Sequence, residues 1–280
     1  MILKSAKYVL LISVAIVLLA MILTVSIYWY YAKRLEKFES FNIIKRTDFD
    51  CYIINLKKNT DRLEDITTLY NSSDLSPPQF IRIEAVNGKE IDIQPYVSDR
   101  VYNGIQEIDK TGTRLHHSQI TRGAVGCYLS HLEIYKGITT SSKPYALIIE
   151  DDASFNKDIY NAGIRNIMKN IPSDWDIILF GKINRDVVDH KTYLEMREFW
   201  GTHGYLINKS GIHKMLKYGN IPIDDQIDAV MGRLAREGIL KIYAPIIQYI
   251  PTNAKYAISD VQIDITEKPG VDPSADPFKK

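Results

Sequence analysis

The chain has 280 residues with 35 Lys+Arg against 34 Asp+Glu, a formal net charge of +1. That near-neutral balance leaves no electrostatic footprint for nucleic acid, so nucleic acid is not an expected partner. Cys51 and Cys127, the only cysteines, exclude a disulfide framework and argue against a zinc cluster; two isolated buried thiols are expected, with a single bridge as the alternative.

Residues 1–7 form a short flank. Residues 8–31 carry no charged side chain and are rich in Leu, Ile, Val and Ala. At about 1.5 Å per residue, a helix of that length spans a hydrocarbon core of about 30 Å. Tyr28, Trp29, Tyr30 and Tyr31 would lie at the membrane interface. The expectation is an uncleaved, single-pass anchor in the lipid bilayer; a signal peptide would have a shorter apolar core and a small-x-small cleavage site. The side of the membrane stays open. Lys33, Arg34, Lys37, Lys45 and Arg46, set against Lys4 and Lys7, favour a cytosolic domain. Sequons at Asn71-Ser72-Ser73 and Asn208-Lys209-Ser210 fit a lumenal, type II arrangement.

Residues 32–48 read as a stem, 49–255 as the folded domain and 256–280, with Pro269, Gly270, Pro273 and Pro277, as a flexible tail. Within the domain, Cys51-Tyr52-Ile53-Ile54-Asn55-Leu56 reads as a first strand. A helix follows from Asn59 through Leu63, Ile66, Leu69 and Tyr70, spaced for one buried stripe. Phe80-Ile81-Arg82-Ile83 is a second strand, ending before the turn signal Asn87-Gly88. Residues 92–120 lack sustained periodicity and read as a long binding loop or lid. Helical spacing returns over 124–138, and strand 145–149 follows. A helix near 158–170, the short strand Asp176–Phe180, strand-like Tyr205–Ile207, helices near 209–218 and 225–237, and a strand over 240–243 complete the domain. Strands alternating with helices predict an α/β fold on a largely parallel sheet.

The run Tyr145-Ala146-Leu147-Ile148-Ile149-Glu150-Asp151-Asp152 carries the most chemistry. A strand covered on both faces ends in three carboxylates, at the position where open α/β sheets bind ligands. Such acids repel one another unless a cation lies between them, and a hard divalent metal carrying a phosphorylated substrate suits the place. The other reading is a surface turn.

Four further segments accompany it in order: Ile54-Asn55-Leu56 with Asp61-Arg62; Thr121 to His131 (TRGAVGCYLSH); Gly201 to Ile207 (GTHGYLI); and Ile221 to Asp225 (IPIDD), with Pro245-Ile246-Ile247-Gln248 downstream. In this order and spacing the chain resembles glycosyltransferase family 25 from about residue 50 to 250. The resemblance implies a GT-A fold, a Rossmann-like mostly parallel sheet with flanking helices. It implies transfer of a hexose, galactose or glucose, from a UDP-sugar to a glycan or protein hydroxyl, with inversion, and a divalent metal, commonly Mn²⁺ with Mg²⁺ as the alternative.

Carried onto this chain, the resemblance makes Asp152 the first choice for direct ligation. Asp151 or Glu150 would hold the metal's waters or the donor ribose. His203 would complete the metal shell or donate to the diphosphate. Asn55 and Arg62 fall where the nucleotide is received, and Arg62 could instead form a surface ion pair with Asp61, Glu64 or Asp65. Ser130 and His131 are donor-binding candidates or a satisfied buried pair. Gly123 and Gly126 suit close packing at a helix start, in a turn that could also face a phosphate. Asp224 and Asp225, with Asp225 preferred, are candidates for the base that deprotonates the acceptor; the alternative is a helix cap. Family members often carry an acid where this chain has Ala124, which keeps open a non-catalytic binding module or partner subunit. No P-loop or kinase signature supports a phosphoryl or nucleotidyl enzyme.

Overall fold

The computed structural model describes residues 17–31, 44–256 and 261. The chain divides into two compact units, Met1–Ile43 and Ile44–Lys280. In the first, residues 17–31 are helical with every side chain exposed. The rest of the expected anchor, residues 8–16, lies outside the described residues, as do the expected stem up to residue 43 and all of the expected tail except Tyr256 and Val261. Among the described residues no helix is long and apolar enough to cross a membrane.

The second unit is a mixed α/β fold. Its strands are β1 (Phe49–Asn55), β2 (Ile81–Glu84), β3 (Tyr145–Glu150), β4 (Ile177–Asp189), β5 (Leu194–Asn208) and β6 (Ile242–Ala244). They form one six-stranded sheet in the order β2-β1-β3-β5-β4-β6. The sheet is mostly parallel: β5 alone runs against its neighbours β3, β4 and β6. The flanking helices are α1 (Thr60–Asn71), α2 (Asp99–Thr111), α3 (Arg122–Ile138), α4 (Lys209–Tyr218) and α5 (Ile227–Arg236).

The period of two along β3 builds both cores. Ala146 and Ile148 face one cluster with Val125, Leu129 and Leu132 of α3 and Val230 of α5. Leu147 and Ile149 face the other, with Ile66 and Tyr70 of α1 and Ile164 and Ile167 of a short helical stretch. The α3 side is drawn in closely. A Cβ added to Gly126 would lie 2.3 Å from the Val86 carbonyl oxygen and 2.6 Å from the Gly88 nitrogen.

The structure corrects three expectations. Residues 92–120 are not a continuous loop, because α2 occupies their middle. Ser98 caps it, accepting from the Val101 nitrogen, and Gly112 closes it at φ +74. Its buried stripe is only Val101, Ile105 and Ile108, too thin to stand out among polar neighbours and the weak helix formers Asn103 and Gly104. The strands expected at 176–180 and 205–207 are the inner parts of a long hairpin, 177–189 with 194–208. Its outer part carries exposed residues such as Asn184 and Arg185, so no apolar run announces it. The helix expected near 158–170 is two short pieces, a π-helical turn at Ile159–Ile164 and Arg165–Ile167.

Candidate metal and donor site

The alternation that builds the core also sorts the acids at the end of β3. Glu150 continues the parity of Ala146 and Ile148 toward α3. There its Oε1 lies 3.3 Å from His131 Nε2 and accepts from Thr202 Oγ1 at 2.5 Å. Asp151 falls toward α1 and the end of β1, where it accepts from Asn55 Nδ2 at 2.7 Å and pairs with Arg62 at 3.4 Å. Burial would raise Glu150, but the hydrogen bond and charge of His131, the charge of His203 and the Thr202 hydroxyl bring it below the ordinary carboxylate range. Asp151 is held up by burial, with Asn55 and Arg62 opposing.

Asp152 and His203 complete the arrangement. Ile149 pairs with Gly204 across the antiparallel β3–β5 ladder, so the next step along each strand sets Glu150 beside His203. One ligand atom from each of Glu150, Asp152 and His203 lies within 4.8 Å of the others. Among the described residues, Asp152 Oδ1 and His203 Nδ1 are buried with no hydrogen-bond partner. His203 Nε2 shares a hydrogen bond with Thr252 Oγ1 at 3.1 Å. Burial raises the Asp152 carboxyl, and the charges of Glu150 and Asp151 add to that while His203 opposes it. Orphaned buried atoms on a carboxylate and an imidazole beside a second carboxylate fit a divalent cation, which would satisfy both atoms and relieve the repulsion.

These acids line an open cleft that is also bordered by Ile54, Asn59, Arg62, Gly88, Gly123 and Cys127. Arg62 lies over the Tyr256 ring, 4.9 Å from its centroid. Cys127 is half-buried rather than core, and both cysteines are free. Burial, with the charges of Glu150, Asp228 and Asp152, pushes its thiol well above the ordinary range.

The structure therefore brings together Asn55, Arg62, Glu150, Asp151, Asp152 and His203. Ser130 and His131 are fully buried behind this lining. Ser130 Oγ donates to the Gly126 carbonyl at 2.7 Å and accepts from the Val86 nitrogen at 2.9 Å, tying α3 to the segment after β2. His131 Nδ1 lies 2.8 Å from Tyr205 Oη, which lies 2.5 Å from Tyr135 Oη. Asp224 is half-exposed and pairs with Arg233 at 3.3 Å. The Asp225 carboxyl accepts from the Gln226 nitrogen at 2.8 Å, and burial raises it to about 6.

Sequence reasoning missed Thr202, Tyr205 and Asp228 as parts of this site. Asp228, in the first turn of α5, accepts from the Gly201 nitrogen at 2.8 Å. Gly201 holds φ +83, a left-handed conformation that suits glycine, and it leads directly into Thr202 and His203. Thr202 and Tyr205 lie inside the GTHGYLI segment that the sequence had singled out, but nothing local named their partners, and Asp228 stood out by no comparable signal.

Residues 49–231 match the family model described as glycosyltransferase family 25 (LPS biosynthesis protein). The chain belongs to this family. Procollagen galactosyltransferase 1 of Danio rerio is 30% identical over 189 residues, 62% of this chain and 30% of that protein. A glycosyltransferase 25 family member of Drosophila melanogaster is 27% identical over 199 residues, 65% of this chain and 30% of that protein. This family member thus spans about 30% of the length of those relatives. The solved structure of S. aureus TarS 1-349 in complex with UDP-GlcNAc superposes with a TM-score of 0.38 at 10% identity, over 76% of this chain and 60% of that one.

Proposed function

We propose that this chain is a metal-dependent glycosyltransferase of GT-A type that moves a hexose, galactose or glucose, from a UDP-sugar to a hydroxyl of a glycan or protein, with inversion. The observation that carries this reading is the Glu150–Asp152–His203 group, which leaves two buried polar atoms unsatisfied at the edge of the cleft that Glu150 and Asp152 line. Membership of a glycosyltransferase family supports it.

Asp152, His203 and Glu150 would hold a divalent cation, Mn²⁺ or Mg²⁺. When bound, it supplies Lewis-acid stabilisation of the charge that grows on the leaving diphosphate. Arg62 stands at the same cleft and offers its planar fork to a phosphate oxygen. Asp151, held by Asn55 and Arg62, is positioned to accept from a donor ribose hydroxyl. Asp225, with its carboxyl at about 6, suits a general base near neutral pH. It takes the acceptor proton as the acceptor oxygen bonds to the anomeric carbon and the bond from that carbon to the diphosphate breaks.

The test is UDP-sugar turnover by the full-length protein with Mn²⁺, with chelator, and in Asp152→Ala and His203→Ala variants. Turnover is expected to require the metal and to fall about 100-fold or more in each variant. Turnover untouched by chelation and by both variants would refute the metal-dependent reading. The non-catalytic alternative draws on Ala124, which is buried at the start of α3 where its nitrogen donates to the Thr121 cap; tight donor binding without turnover would favour it.

The same reading makes residues 8–31 a single-pass membrane anchor, with the catalytic domain lumenal or cytosolic. The exposure of every described side chain over 17–31, including Leu19, Ile22 and Trp29, supports a lipid surrounding, since so largely apolar a helix surface is unfavourable in water.

A further inference from the structure

Helix α3 presents a second set of metal-ligating atoms beside the first. Cys127 and His131 are four residues apart and project from one helix face. That face packs on the end of β3, where Glu150 meets His131. One ligand atom from each of Cys127, His131 and Glu150 lies within 4.8 Å of the others. Small side-chain shifts would bring all three to about 2.0–2.3 Å from one ion. Cys127 is free and half-buried and borders the cleft, which gives an ion a way in. The His131 ring is held from behind by Tyr205.

The two groups differ in kind. A thiolate with an imidazole and a carboxylate suits a borderline ion such as Zn²⁺, and Mn²⁺ and Mg²⁺ prefer oxygen-rich sets. Glu150, Asp228 and Asp152 surround the thiol with negative charge. That field disfavours a bare thiolate but favours one formed together with a bound cation. Glu150 belongs to both groups.

We infer that Cys127, His131 and Glu150 form a second cation site, selective for Zn²⁺ over Mn²⁺ and Mg²⁺, whose occupation draws Glu150 away from Asp152 and His203 and so inhibits the enzyme. On binding, the S–H bond of Cys127 is replaced by an S–Zn bond and the proton leaves to solvent, with no change of oxidation state. The inhibition rests on the transferase reading of the first group, whereas the binding does not.

Cd²⁺ titration of the full-length protein in detergent tests the binding through thiolate-to-metal charge-transfer absorption. A stoichiometric band is expected, displaced by Zn²⁺ and not by equimolar Mn²⁺. Cys127→Ser should lose the band and about tenfold or more of the Zn²⁺ affinity measured by chelator competition, and Asp152→Ala should keep the band. As a check that needs no variant, Zn²⁺ should slow alkylation of Cys127 in the wild-type protein. No band in the wild type, a band that persists in Cys127→Ser, or its loss in Asp152→Ala would each overturn the separate site. Stoichiometric Zn²⁺ should lower Mn²⁺-dependent donor turnover about tenfold; Zn²⁺ that binds with the band yet leaves turnover unchanged overturns the inhibition. Absence of any donor turnover counts against the proposed transferase and leaves the absorption result standing.

Discussion

Asp225 and Asp152 are both carboxyls raised by burial, but they differ in what balances them. Asp152 is grouped with His203 and Glu150 around a position suited to a cation. Asp225 has a backbone hydrogen bond from Gln226, and the charges of Asp228 and Asp224 raise it further. For an acid, a folded-state value above the unfolded one means that the native protein binds the proton more tightly. Stability from Asp225 is therefore full at low pH and is lost as pH rises from 3.8 toward about 6. The loss is on the order of 1–2 kcal/mol once partial exposure is taken into account. Asp225→Asn keeps an acceptor for the Gln226 nitrogen and removes the charge. Chemical denaturation at a series of pH values should show the variant more stable than wild type above pH 6 and flatter across that window. The acidic limb of kcat/KM near pH 6, expected if Asp225 is the base, should vanish in the residual activity of the variant.

At the scale of the element, α3 does two jobs, and its glycines show where each is done. Gly126 lies against the backbone of Val86 and Gly88, whereas a Cβ at Gly137 would meet nothing within 4 Å. Gly126→Ala must push the helix off the segment after β2, which carries the Ser130 bond to Val86. Thermal unfolding should report a loss of about 2–4 kcal/mol, with weaker donor binding as the cleft shifts. Gly137→Ala should instead gain about 0.5–1 kcal/mol from helix propensity alone. Equal effects of the two substitutions would show that the close approach at Gly126 contributes nothing. The TRGAVGCYLSH segment was legible as a helix carrying close-packing glycines. Ser130 and His131 are buried, the second of the two readings the sequence left open for them; that they meet Val86 and Glu150 was not legible, because helix spacing gives a face without saying what packs on it.

At the scale of the whole molecule, the proposed membrane anchor would make sidedness decide which acceptors the cleft meets, and the two sequons offer a built-in reporter of it. Asn71 ends α1 with its side chain exposed. Asn208 is half-buried; it caps α4 by accepting from the Gly211 nitrogen at 2.8 Å and donates to the Trp175 carbonyl. A lumenal domain should therefore carry glycan at Asn71 alone, read as one enzyme-sensitive mobility shift abolished by Asn71→Gln. An unglycosylated chain, with the domain accessible to protease in sealed vesicles, would assign it to the cytosol. The sequence by itself determined the α/β class, the buried strand Tyr145–Glu150 and the three acids at its end, because a strand covered on both faces must be apolar along its length and its terminal charges stand out. Only the tertiary structure decided that Glu150 turns to His131, that Asp151 turns to Asn55 and Arg62, and that Asp152 meets His203. Those outcomes depend on the parity of β3 and on the antiparallel register of β5, whose partner lies more than 50 residues away. Pairing at that separation leaves no local periodicity to read.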